Sequence, residues 1–139
     1  MDTSLPLRER LRFAEFILDR LPNGRCRAHV VLTWKETERY EGESEGLASQ
    51  NGELRCAAEA TVRALEGAVS GGAGFELLGV KAVRAFDATV VIVSLTVSTN
   101  GSAQRVVGSY LTDDDLARGA ALAVLHATNR ILGNQFFMR

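Results

Sequence analysis

The residues of this chain that could do chemistry are few and widely spaced. Three successive carboxylates, Asp113, Asp114 and Asp115, stand ahead of an alanine-rich run. Such a cluster could hold a cation, but a divalent ion wants further oxygen ligands and a glycine turn, and no calcium-loop spacing is present. A helix start accounts for all three. Thr112 occupies the N-cap position with Asp115 three residues on, as in a capping box. Asp113 and Asp114 then fall in a first turn, where the helix dipole favours negative charge. Glu41, Glu43 and Glu45 alternate along one face of an extended run and read as a solvated, edge-protecting stripe. His29 sits in a predicted strand and His126 in a predicted helix, without a Ser or Cys partner at a recognisable spacing. Cys26 and Cys56 form no CxxC pair, so both are expected as free thiols in a reducing, cytoplasmic setting. Phosphate-loop, dinucleotide, zinc-protease and nucleophile-elbow patterns are absent. No metal site and no cofactor is predicted. A small enzyme built on His29 or His126 would need a carboxylate or cysteine brought to it in space.

The bulk of the chain sets the frame for these side chains. Its 139 residues are most simply a single domain spanning 1–139, 46% hydrophobic and 24% charged. With 16 basic and 17 acidic residues the net charge is −1, so no overall field draws nucleic acid or an anionic membrane. No stretch approaches the ~20 apolar residues of a membrane span.

Hydrophobic periodicity then places the elements. Leu7, Leu11, Ala14, Ile17 or Leu18, and Leu21 recur at helical spacing and predict an N-terminal helix over 5–21, capped by Ser4, with Pro6 in its first turn and Pro22-Asn23-Gly24 as its stop. Residues 27–34 read as a strand. Residues 39–46 follow, alternating Tyr40, Gly42, Ser44 and Gly46 against charged neighbours, which makes a strand with one small face and one charged face. A helix over 53–67 closes the first ββα unit, 27–67. After a Gly-rich connector at 70–74 come strands over 75–86, 88–98 and 104–111, with Asn100-Gly101 as a hairpin turn. The final helix completes a βββα unit over 75–133 and stops at Gly133-Asn134, leaving a tail at 134–139. Val91, Val93, Leu95 and Val97 line one side of the middle strand and Val90 and Ile92 the other, so burial on both faces is expected there, favouring a homodimer. Phe136, Phe137 and Met138 in the tail are candidate interface residues.

Displacing the chain along itself by 62 residues brings Val31 onto Val93, Thr37 onto Thr99, Gly46 onto Gly108, Leu54 onto Leu116, Ala58 onto Ala120 and Val62 onto Val124. This predicts an internal duplication without a gap, two units sharing one core. The expected class is α+β, in the order αββαβββα: two pseudo-symmetric ββα repeats, an extra strand and the N-terminal helix, with a mostly antiparallel sheet packed by helices.

The run from "FELLGVKAVRAFDATVVIVSLTVS" to "ATNRIL" resembles the C-terminal regulatory domain of 2-isopropylmalate synthase and its citramalate and homocitrate relatives. The matching positions are Asp87-Ala88, Gly108, Asp115 and Asn129-Arg130, with a looser match through Gly42, Gly46 and the helix ending "ALEG". The likeness covers about residues 39–132. It implies a dimerising pseudo-twofold domain that binds an amino-acid effector such as leucine near the subunit contact. The family's Gly-Pro-x-Asp-Ala turn is replaced here by "GLASQNGEL" (46–54), and the strand that opens the first repeat is replaced by the predicted helix of 5–21. With no catalytic barrel in this sequence, the expectation is a non-catalytic homodimeric domain that senses a small metabolite, a branched-chain amino acid or 2-oxo acid. The candidate ligand-binding residues are Gly46, Gly108, Asp113, Asp114, Asp115 and Asn129, where glycine-bearing strand ends meet helix starts. The alternative is a scaffold module that binds a protein partner, since the same element order is similar to that of the roadblock family.

Overall fold

A computed structural model describes residues 11–35, 37–69, 73–99 and 101–135, with side chains to residue 129. Its elements are β1 (Arg12–Leu21), β2 (Arg25–Trp34), β3 (Glu38–Leu47), α1 (Gln50–Ala68), β4 (Gly74–Ala85), β5 (Ala88–Thr99), β6 (Ser102–Thr112) and α2 (Leu116–Gln135). The class is α+β. The strands form two separate antiparallel sheets, β1-β2-β3 and β4-β5-β6, rather than the single sheet expected. Each helix covers the inner face of its own sheet, and the helices pack on each other. α1 also reaches β4 and α2 reaches β1, so each repeat helps to close the other's core.

The expected N-terminal helix is a strand from Arg12 onward, preceded by the buried Leu11; residues 5–10, with Ser4, lie outside the described residues. The cause of the helical spacing is a bulge. β1 pairs Phe13 with Leu32 and Phe16 with Val30, and the register shifts between Phe13 and Glu15, leaving Ala14 unpaired. One extra residue puts two inward phenylalanines three apart, which imitates a helical period on a strand. β4 carries the same device, with its register shifting between Leu77 and Gly79. Asn23 and Gly24, both at positive φ, turn the chain from β1 into β2 instead of ending a helix. From residue 12 on the order is βββαβββα, so the order that carried the likeness to roadblock modules does not hold.

The duplication is present, but the gapless 62-residue register is not. Gly42 pairs with Val30 and Gly108 with Val93. A Cβ on Gly42 would lie 2.0 Å from the Ala60 carbonyl oxygen, and one on Gly108 would lie 2.2 Å from that of Ala123. Gly108 therefore corresponds to Gly42, not to Gly46. The second hairpin, β5–β6, is longer at its tip, and the path from the strand glycine to the helix residue it faces, Gly108 to Ala123 against Gly42 to Ala60, is shorter by a compensating amount. Two offsetting length changes thus mimic a simple repeat. At both glycines the helix backbone comes so close to the strand that no side chain fits between them.

Two boundaries also differ. α2 is capped by Asp115, whose Oδ1 accepts from the Arg118 amide at 3.1 Å, while Thr112 is the last residue of β6. The helix continues through Gly133-Asn134 to Gln135, because helix–sheet packing outweighs the local stop signal. Phe136, Phe137 and Met138 lie outside the described residues.

Candidate functional site

An open groove of about 510 Å³ runs between the free edge of β3 and the first half of α1. Its size is that of a small-ligand pocket. Period-two alternation makes one wall: Ser44 and Gly46 face inward, while Glu45 turns outward to Arg27, 2.9 Å away. The other wall is a stripe on α1, where Arg55, Glu59 and Arg63 recur at four-residue spacing and therefore share one helix face. The closed end is the start of α1. Ser49 caps it, its Oγ accepting from the Gly52 amide at 3.0 Å, and the loop is tied back by the Ala48 amide donating to the Gly24 carbonyl at 2.8 Å.

The floor of the groove reaches Cys56. Its Sγ lies 3.5 Å from Sγ of Cys26, which in turn donates to the Leu47 carbonyl at 3.4 Å. Both thiols are free and buried, as the sequence predicts of their bonding. Burial, then the hydrogen bond with Cys26, pushes the Cys56 thiol up to about 12. Gly46 makes room for this pair, since a Cβ there would sit 2.8 Å from Cys56 Sγ. The cationic side of the groove belongs to two arginines. Arg63 Nη1 donates to the Glu43 carbonyl at 2.6 Å, and Arg55 stands 3.8 Å from Glu59 with half its side chain exposed. Arg20 clamps Glu53 with two hydrogen bonds and holds the first turn of α1 onto β1.

Of the six candidate ligand-binding residues, only Gly46 lines this groove, beside Cys56 and Glu45, to which the sequence assigned a free thiol and a solvated stripe. Gly108 is filled over by α2. Asp113 and Asp114 lie in an exposed bend and Asp115 is spent on the helix cap, all in the second repeat. Asn129 is half-buried in α2. These five do not converge with Gly46. Apart from Cys56, the groove side chains of α1 carry no assignment from the sequence, although the Arg55, Glu59, Arg63 spacing is visible there.

The histidines do work of a different kind. His126 Nδ1 accepts from the Ser109 amide at 3.2 Å, closing a free N–H on the edge strand β6. It occupies the place in its repeat that Arg63 has in the first, against Glu43. His29 Nε2 lies 2.8 Å from Glu41 on the outer face of the first sheet. That contact, helped by the charges of His29 and Arg39, holds the Glu41 carboxyl below its ordinary value. Neither histidine meets a cysteine in the bonds described. Among the described residues no three His, Cys, Asp or Glu side chains gather as a metal site requires, and no helix is long and apolar enough to cross a membrane. No protein-family model matches the chain, and no curated protein matches it either.

Proposed function

We propose that this chain is a non-catalytic, homodimeric regulatory domain that binds a small carboxylate-bearing metabolite, a branched-chain amino acid or its 2-oxo acid, in the groove between β3 and α1. The observation that carries this reading is the composition of that groove. Arg55 and Arg63, the Ser44 and Ser49 hydroxyls and the capped start of α1 stand around one cavity of ligand size. A guanidinium suits a carboxylate because its planar donors match two oxygens at once. The two βββα units support this reading, with β1 in the place of the strand for which a helix is expected from the sequence, while the departure at the turn of residues 46–54 stands. Two buried thiols 3.5 Å apart, hydrogen-bonded and not joined as a disulfide, support a reducing compartment.

The test is a thermal-shift series with branched-chain amino acids, 2-oxo acids and hydroxy acids. A ligand at ~100 times its dissociation constant adds ~2.7 kcal/mol. The expected result is a rise of several degrees with one chemical class, lost in Arg55→Ala. A flat response across the panel removes the sensor reading and leaves the scaffold module, whose ligand is a protein.

A further inference from the structure

The outer faces of the two sheets are built on one plan and differ sharply in chemistry. In the first sheet the register aligns Asp19, Arg27 and Glu45 in a row across the strands. The corresponding row of the second sheet is Val83, Val90 and Leu111. The first face is a lattice of ion pairs: Arg27 with Glu45, His29 with Glu41, and Arg39 with Glu15 and Glu41. The second adds Ile92, Leu78 and Val107 to its apolar row, and Val107 and Leu111 are 56% and 60% exposed. Phe86, 97% exposed, tips the β4–β5 hairpin at the same end, in a turn where both it and Asp87 adopt positive φ. A repeat that needed only solubility would have kept the charged row. An apolar face of this kind marks a contact surface.

We infer that the outer face of β4-β5-β6 is the homodimer interface, packed against the same face of a second copy about a twofold axis parallel to β5. The inference rests on the dimeric reading above and specifies its surface. The charges at the far end of the sheet select the occupant and the axis. Glu76 and Arg105 flank Thr96 in one row, on opposite edge strands. Neither makes an ion pair with a described residue. An axis along β5 lays β4 of one copy over β6 of the other and sets each row against its own reverse. Glu76 then meets Arg105 of the partner subunit, twice by symmetry, and Val83, Val90 and Leu111 meet Leu111, Val90 and Val83. Lys81 faces a serine, so no like charges are opposed. An axis perpendicular to the strands would instead press the Glu76–Arg105 row onto the apolar row and desolvate its charges unpaired. Aligned packing is also the ordinary way in which twisted sheets stack. The charged first sheet cannot serve as the cover, for the same desolvation reason, so the contact is isologous and closes as a dimer.

Sedimentation velocity over a range of concentrations, with circular dichroism to verify folding, tests this. The expected results are a wild-type dimer, a monomer for Leu111→Asp, and dissociation constants raised roughly tenfold or more for Glu76→Arg and for Arg105→Glu. The double reversal E76R/R105E should recover to near wild type, which a merely unfolded variant could not do. Glu43→Arg, on the outer face of the first sheet, should leave association unchanged. A dimer that persists in Leu111→Asp, a double reversal no tighter than the singles, or an equal loss in Glu43→Arg overturns the interface while the dimer stands. A wild type that is monomeric throughout overturns both.

Discussion

Cys56 shows how one side chain inherits its chemistry from its surroundings. In the sequence it is a cysteine without a partner at a telling spacing; in the fold it lies over Gly46 and against Cys26. Its thiol is held protonated, with a pKa raised from 9.0 to about 12. A group raised on folding contributes fully below its unfolded value and loses that contribution as pH climbs through the folded one. Stability should therefore decline across about pH 9 to 12 and decline less in Cys56→Ala, as followed by urea denaturation. Below that window the thiol should react with a disulfide reagent far more slowly in the native protein than in urea, because the thiolate is the nucleophile. The aspartates are the reverse case. That they stand at a helix start was legible from residue type and position, because capping is local chemistry, but Asp115 caps instead of Thr112, and Asp113 and Asp114 fall in the bend before the helix rather than in its first turn.

At the scale of elements, the small faces of β3 and β6 decide how closely the helices dock. Gly42→Ala and Gly108→Ala should each cost on the order of 3 kcal/mol, because the neighbour is helix backbone and cannot turn aside. Gly46→Ala should cost less, since its neighbour is the Cys56 side chain rather than helix backbone. Equilibrium denaturation of the single variants checks both the size and the order. The alternation of glycine and glutamate in 39–46 announced this strand and its two faces correctly. β1 escaped the same reading because its bulge broke the period of two, and nothing local marks a bulge at Ala14. Edge protection recurs between the repeats with different chemistry, Arg63 on a carbonyl and His126 on an amide, so neither residue needs a catalytic role to account for its place.

At the scale of the whole molecule, the two repeats depend on each other. α1 packs on β4 and α2 on β1, and one buried cluster joins Leu54 and Ala57 to Val91, Ala117 and Ala120 across the divide. Either half expressed alone, 1–69 or 73–139, should fail to show a cooperative melt by circular dichroism, whereas the mixed halves should regain one. Composition and periodicity were enough to announce an α+β protein with an internal repeat, because element type follows from which side chains must share a face. They could not reveal that the repeat is offset by compensating length changes, that its strands divide into two sheets, or that Arg55, Arg63 and Cys56 border one groove. Each of those depends on which faces meet once the chain has closed, and residues far apart in sequence acquire a common environment only when the two halves are packed.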